Sequence, residues 1–403
     1  MKQLLILSIT LALVVACDDS TIDPGNEPNL RELSASEVQV TVAANEFAFD
    51  LFRKIQKASP QNNFISPLSI SMALGMTLNG ASNETQKTFL QTIHFGELTP
   101  DEINTGYNDL TSLLLSMDRK VKLGIANSVW YSDKYHVKEN FSTTIAKYYD
   151  GKTTGINFSD EHSKDIINGW VEDKTNGRIK DLINQIASDE VMFLVNAIYF
   201  KGDWTYQFDK SKTHDAPFHK IDGSSTSVRM MHSEKVKLLH YSDDKIELLD
   251  IPYGNKQFNL TVIVPREPAK LQDLLSDLNV ANLSFWLSEA DSAKPQLELP
   301  KFKMTWKADL KEGLKEMGIA MAGFPDLFEE TLPLEISRVI HQTYLDVNEE
   351  GTEAAAATAV GIEQTSIGPI SKIVVDKPFI FLIREKHSEV ILFIGQLIDP
   401  DIL

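Results

Sequence analysis

The densest group of residues able to ligate a metal or move a proton is His214, His219, His232 and His240. A helix-borne metal pair needs two ligands one turn apart, and no two of these are three or four residues apart. They also sit among turn-forming residues, so surface or structural histidines are expected. The chain contains no HExxH, no glycine-rich phosphate loop and no Gly-x-Ser-x-Gly elbow. Ser, His and Asp are all present, but their presence alone specifies no triad. The sequence does not read as an enzyme, and neither a cofactor nor a metal is expected.

One segment suggests a mechanical chemistry instead: Glu349-Glu350-Gly351-Thr352-Glu353-Ala354-Ala355-Ala356-Ala357-Thr358-Ala359-Val360. Intrinsic propensity favours a helix, which Thr352 could cap. Read with a period of two, one face holds Thr352, Ala354, Ala356, Thr358 and Val360, all small or β-branched. The other holds Glu353, Ala355, Ala357 and Ala359. Such a stretch is small enough to slide between packed strands and could exist in two states.

The elements around it follow from periodicity. Val42–Lys57 has helical spacing through Phe47, Leu51, Phe52 and Ile55. Ser66-Pro67 opens a second helix that Gly80 stops. Val191–Phe200 is apolar almost without a break and predicts a central strand buried on both faces. Leu248–Val264 predicts two strands joined at Gly254-Asn255. Leu297–Met304 predicts one strand, with Pro300 at an edge or bulge. Ala308–Met317 predicts an amphipathic helix ending at Gly318. Two apolar runs, Pro378–Ile383 and Val390–Ile398, form a buried hairpin around the charged turn Arg384–Glu389. Helices concentrate early and strands late, which predicts an α+β domain.

The chain has 403 residues, 42% of them hydrophobic, and a formal net charge of -18 from 57 acidic and 39 basic residues. That composition excludes a disordered chain and disfavours nucleic acid as a partner. The single Cys, Cys17, excludes an internal disulfide. It follows a short positive start and the apolar run Leu4–Ala16, too short for a confident transmembrane helix. Leu13-Val14-Val15-Ala16-Cys17 resembles a bacterial lipobox, in which the thiol is acylated and becomes the mature N-terminus. Residues 1–16 are then a lipoprotein signal peptide, and polar residues 17–36 a flexible tether. Residues 37–403 form one domain. The expected location is the bacterial cell envelope, lipid-anchored, surface-exposed or periplasmic, with release to the exterior also open.

From about Glu37 to the end the chain resembles the serpins. The motifs that carry the likeness come in order. They are Asn63-Phe64-Ile65-Ser66-Pro67-Leu68-Ser69-Ile70 with Gly80-Ala81 and Thr85, then Trp170-Val171 with Thr175-Asn176-Gly177-Arg178-Ile179. Next come Leu194-Val195-Asn196-Ala197-Ile198-Tyr199-Phe200-Lys201-Gly202 with Trp204 and Phe208. Leu299-Pro300-Lys301-Phe302 and Asp376-Lys377-Pro378-Phe379 complete the set. The resemblance implies three β-sheets, eight or nine helices and an exposed reactive loop at about 349–372. It also implies a monomeric suicide-substrate inhibitor of serine proteases, reaching some cysteine proteases.

The resemblance also assigns residues. Glu349, Gly351, Thr352, Glu353, Ala354, Ala355, Ala356, Ala357 and Thr358 form the loop hinge, with Thr352 exposed until the loop inserts. Counting from Glu349 puts the bait bond at Thr365-Ser366, while counting back from Lys377 points to Ile367-Gly368. A small bait fits an elastase-like pocket, and no Arg or Lys lies between Thr352 and Ser371. Ser66, Ser69, Asn196 and His341 match a polar cluster under the point where the main sheet opens. Trp204 sits at the top of that opening, and Glu349 pairs with Lys301. The other reading is a non-inhibitory binding protein on the same scaffold.

Overall fold

The apolar run around Val195 forms β4 (Met192–Asp203), the centre of a six-stranded sheet. The sheet runs β12 (Phe302–Asp309), β13 (Arg338–Val347), β14 (Gly351–Thr352), β4, β2 (Val121–Ser132) and β3 (Lys152–Ile156). The structure is a computed structural model and describes residues 27, 28, 30–330, 334–352 and 371–402. β4 is antiparallel to β2 along its whole length, from Tyr131↔Met192 to Val121↔Gly202. Its pairing with β13 is parallel and short, from Phe193↔Arg338 to Ala197↔Gln342. Above that point β14 enters between them, antiparallel to both.

Two more sheets complete the β structure. One has the order β1 (Asn63–Ile65), β17 (Ile391–Leu397), β16 (Phe379–Glu385), β9 (Phe258–Pro265), β8 (Ile246–Pro252), β7 (Leu238–Ser242) and β10 (Asp291–Ala293). The other has the order β15 (Lys372–Val374), β11 (Gln296–Pro300), β6 (Ser225–Ser233) and β5 (His214–His219). The described residues hold nine α-helices, so the mixed architecture with three sheets matches the expectation. α1 (Ala35–Ala58) starts at a capping box between Ser34 and Glu37. The last two positions assigned to the tether therefore lie in the helix. α2 (Pro67–Leu78) is capped by Ser66 and buried along its full length. α6 (Ser163–Lys174) lies on the outer face of the main sheet, with Ile167 and Val171 packed among Phe193, Val195, Ala197 and Ile340. No described helix is long and apolar enough to cross a membrane.

Four local expectations are corrected. Leu297–Met304 is not one strand. It is the end of β11 and the start of β12, in different sheets. Pro300 lacks the donor that continues a ladder, and the chain bends there from one sheet to the next. The predicted helix Ala308–Met317 begins only at Lys311, because Ala308 and Asp309 still pair with β13. Gly318 closes it at φ 110°, in the left-handed region that suits glycine. The four histidines lie on strands β5, β6 and β7 rather than in turns. Among the described residues, no group of three His, Cys, Asp or Glu could hold a metal.

Arg384 and Glu385 belong to β16, not to the turn after it. Arg384 can be buried because Asp250 faces it at 2.7 Å, and Asp250 also accepts from Thr261 and Asn259. Arg384→Ala would strand that carboxylate. The expected loss is about 3–5 kcal/mol, read as the urea midpoint of the uncut protein. A loss typical of a surface substitution would contradict this role.

Candidate functional site

The start of the expected hinge is held by residues far from it in the sequence. Glu349 and Glu350 are both buried. The Glu349 carboxylate accepts from Lys301 Nζ at 3.0 Å and Thr213 Oγ1 at 2.9 Å. Burial pushes its pKa up, but its own backbone N–H, Lys301 and Thr213 outweigh that and hold it below the usual range. Glu350 pairs with Lys210. The Glu350 carbonyl accepts from the Trp204 backbone N–H at 2.9 Å, and the Glu349 carbonyl from Phe208 N–H at 2.9 Å. The Trp204 indole N–H donates to the Asn348 carbonyl at 2.8 Å. Its ring stacks on Tyr253, with centroids 4.3 Å apart and planes 8° apart.

Gly351 must be glycine here, because a Cβ would lie 2.1 Å from the Gly202 carbonyl oxygen and 2.7 Å from Asp203 Cα. Thr352 follows, and the structure corrects the expectation that it is exposed. It is fully buried, paired with Gly202 and Val347, and its hydroxyl shares a 2.6 Å hydrogen bond with Tyr253. The cause is the space between β4 and β13, which offers Thr352 two strand edges and a phenol. Thr352→Val should therefore destabilise the uncut protein by about 1–3 kcal/mol, the cost of a buried phenol left without a partner. An unchanged thermal midpoint would show that Thr352 carries no such contact.

Lower in the same seam the four polar residues meet. His341 on β13 is the ladder partner of Asn196 on β4. The Ser66 backbone N–H can only donate, and it reaches His341 Nε2 at 3.1 Å. The ring proton must then be on Nδ1, which lies 2.9 Å from Asn196 Oδ1. Asn196 Nδ2 donates to the Ser69 carbonyl at 2.7 Å and to Asn127 Oδ1 at 2.5 Å. Ser69 takes part through its backbone, and its hydroxyl has no hydrogen-bond partner among the described residues.

Burial without a counter-charge lowers the His341 pKa to about 3, so the ring is neutral. The unfolded chain binds this proton near pH 6.5, while the native protein resists it down to about 3. The stabilisation is complete above 6.5 and is lost as pH falls from 6.5 toward 3. Urea midpoints measured between pH 7 and 5 should fall for the wild type and fall less for His341→Gln. Equal slopes would contradict a buried neutral ring.

The structure thus brings together Ser66, Ser69, Asn196 and His341 in one group, and Glu349, Gly351, Thr352, Lys301 and Trp204 in another. Tyr253, Lys210, Thr213 and Asn127 complete these groups, and sequence reading missed all four. No local pattern marks them, since Lys210 and Glu350 lie 140 residues apart. Cys17, Glu353 to Thr358, and the bait candidates Thr365, Ser366, Ile367 and Gly368 lie outside the described residues.

A family model described as serpin (serine protease inhibitor) matches residues 42–400. The leukocyte elastase inhibitor of Bos taurus is 33% identical over 385 residues, covering 90% of this chain and 100% of its own. An uncharacterized serpin-like protein of Methanosarcina acetivorans is 30% identical over 434 residues, covering 100% of this chain and 99% of its own. Among solved structures, the native state of tengpin, a thermophilic serpin, aligns with a TM-score of 0.82 at 28% identity, over 92% of this chain and 95% of its own. Human thyroxine-binding globulin aligns with a TM-score of 0.84 at 29% identity, over 91% and 100%. With the family match spanning nearly the whole domain and its sheets and ordered motifs in place, the chain belongs to the serpin family.

Proposed function

We propose that the protein is an irreversible inhibitor that traps serine proteases, elastase-like ones first, by inserting its cut reactive loop into the main sheet. The observation that carries this reading is β14. Its two residues already occupy the seam between β4 and β13, which do not pair with each other over Ile198–Lys201 and Thr343–Asp346. A longer strand can follow β14 down this seam, antiparallel to both neighbours. The sequence after it places Ala354, Ala356 and Thr358 on the inward face, so no bulk or charge blocks entry.

The protease serine attacks the bait carbonyl, and the leaving amine departs with the C-terminal side of the loop. This leaves the N-terminal side esterified to the enzyme. Insertion then competes with water for the acyl-enzyme. About a dozen added residues gain ladder hydrogen bonds at roughly 0.5–1.5 kcal/mol each, on the order of 10 kcal/mol in total. The uncut form is therefore held by a kinetic barrier.

The likeness to leukocyte elastase inhibitor supports an elastase-like target. The likeness to thyroxine-binding globulin supports the second reading, a binding protein on the same fold. Incubation with pancreatic elastase separates them. An SDS-stable complex is expected, with the released peptide beginning at Ser366. A peptide beginning at Gly368 would move the bait to Ile367, and simple cleavage without a complex would favour the binding protein. Acylation of Cys17 would anchor the domain to a membrane of the bacterial envelope. Cys17→Ala should move the protein from the detergent phase to the aqueous phase, and unchanged partitioning would rule out the anchor.

A further inference from the structure

The motif Thr175-Asn176-Gly177-Arg178-Ile179 has a place in the fold that the trapping reading does not use. It ends α6 and turns the chain back along the outer face of the main sheet. Thr175 is buried; its hydroxyl donates to the Val171 carbonyl at 2.8 Å and accepts from Ile179 N–H at 3.1 Å. Asn176 and Gly177 both adopt positive φ, 51° and 77°, and Gly177 N–H closes the helix on Glu172 at 2.8 Å. Ile179 is locked into the cluster beneath α6. The one residue this turn leaves at the surface with a long charged side chain is Arg178.

Arg178 lies 5.7 Å from the centre of the Tyr344 ring. Tyr344 on β13 and Tyr199 on β4 each lie two residues past the last pair of the β4–β13 ladder, Ala197↔Gln342. Strand alternation places Tyr199 on the same face as Val195 and Ala197, under α6. The Tyr199 phenol is pushed up by burial, while the charge of Arg178 pulls it down and Tyr344 pushes it up, so all three groups are within electrostatic reach. Gly124, the β2 partner of Tyr199, lies under the end of α6, where a Cβ would make ordinary contact with the Lys174 carbonyl oxygen at 3.6 Å and with Tyr199 Cβ at 3.8 Å.

The register of β14 identifies what must pass this point. Thr352 pairs with Gly202 and with Val347, both antiparallel. Continued downward, that register puts residue 355 opposite both Tyr199 and Tyr344, on the outward face. Residue 355 is alanine.

We propose that Arg178 is a latch across the insertion seam, resting on Tyr344 until the advancing strand displaces it, so that its release limits the rate of strand addition. This rests on the insertion reading above and adds a residue that times it.

Tyr344 is buried and Arg178 exposed, and a cation over such a ring contributes enough to change a rate by about two- to five-fold. The test uses the full-length protein and a fluorescent synthetic peptide of residues 352–365, with annealing into the sheet followed on native gels. Arg178→Ala should anneal two- to five-fold faster than wild type. Arg178→Lys should stay near wild type. Tyr344→Leu should match Arg178→Ala, and the double variant should add nothing. Lys303 also sits over Tyr344, at 5.3 Å, but reaches it from β12 and does not span the seam. Lys303→Ala should therefore leave the rate unchanged.

The latch is overturned if Arg178→Ala is no faster, if Lys303→Ala accelerates as much, or if the peptide anneals to neither protein. With elastase, the same ratio should appear in the rate of complex formation. A missing complex alongside the expected peptide rates would count against the inhibitory reading and leave the latch supported.

Discussion

The parallel ladder between β4 and β13 stops at Ala197 and Gln342, and the rest of the site depends on that break. Backbone donors and acceptors inside a sheet need partners, and above the break neither strand finds them in the other. Gly351 and Thr352 supply them at the top. Two residues cannot hold a register alone, so side chains from other elements fix it. Lys301 and Thr213 fasten Glu349, Lys210 fastens Glu350, and Trp204 and Tyr253 close over Asn348 and Thr352. The clasp is polar at each point, and a polar contact has one geometry where an apolar one has many.

Below the break the seam is polar again. Asn196 and His341 form the pair just before the end of the ladder, and the buried start of α2 lies against them through Ser66 and Ser69. The Thr343 hydroxyl, one residue past the ladder, donates to the Phe64 carbonyl at 2.9 Å. Greasy residues of the same burial would let the two strands slide or part gradually. Here parting means breaking hydrogen bonds in a dry place, which makes it close to all-or-none. The seam can thus be closed at rest and still open along a defined line.

Much of this was legible in the chain. β4 follows from an unbroken apolar run, α2 from Ser66-Pro67, and the β8–β9 hairpin from Gly254-Asn255. The resemblance named Ser66, Ser69, Asn196 and His341 of one polar group and Glu349, Gly351, Thr352, Lys301 and Trp204 of the other. Where reading failed, the cause was tertiary. Pro300 marks a bend as plainly as an edge, and only the second sheet shows which it is. Ala308 and Leu310 fit a helical stripe, but β13 offers their backbone a ladder first. For Thr352, alternation gives the face of the residue and not whether its strand is already seated, so its burial is visible only in the fold. Lys210, Thr213 and Tyr253 carry nothing local that distinguishes them from surface cations, turn residues or core aromatics. Only the fold brings them to Glu349, Glu350 and Thr352.

The alternation beyond Thr352 also acquires a physical reason. If the β14 register continues, residue 353 falls between Lys201 on β4 and Asp346 on β13, and residue 354 between Phe200 and Leu345. Phe200 and Leu345 are buried, and they pack on the side of Tyr253 and Phe258. A side chain at 354 must therefore fit an apolar interior, and alanine does so with nothing to desolvate. At 353 the facing side is outward, between the partly exposed Lys201 and Asp346, so a carboxylate entering there would meet a cation on one side and would not be fully desolvated. Glu353 is compatible with insertion for the same reason that a glutamate at 354 would not be. The acidic residue in the middle of an otherwise small, uncharged run is placed at the one parity where the sheet tolerates it. In the insertion proposed above, the helix-favouring alanines that follow would pass between the strands with the least volume to accommodate and the least side-chain freedom to lose.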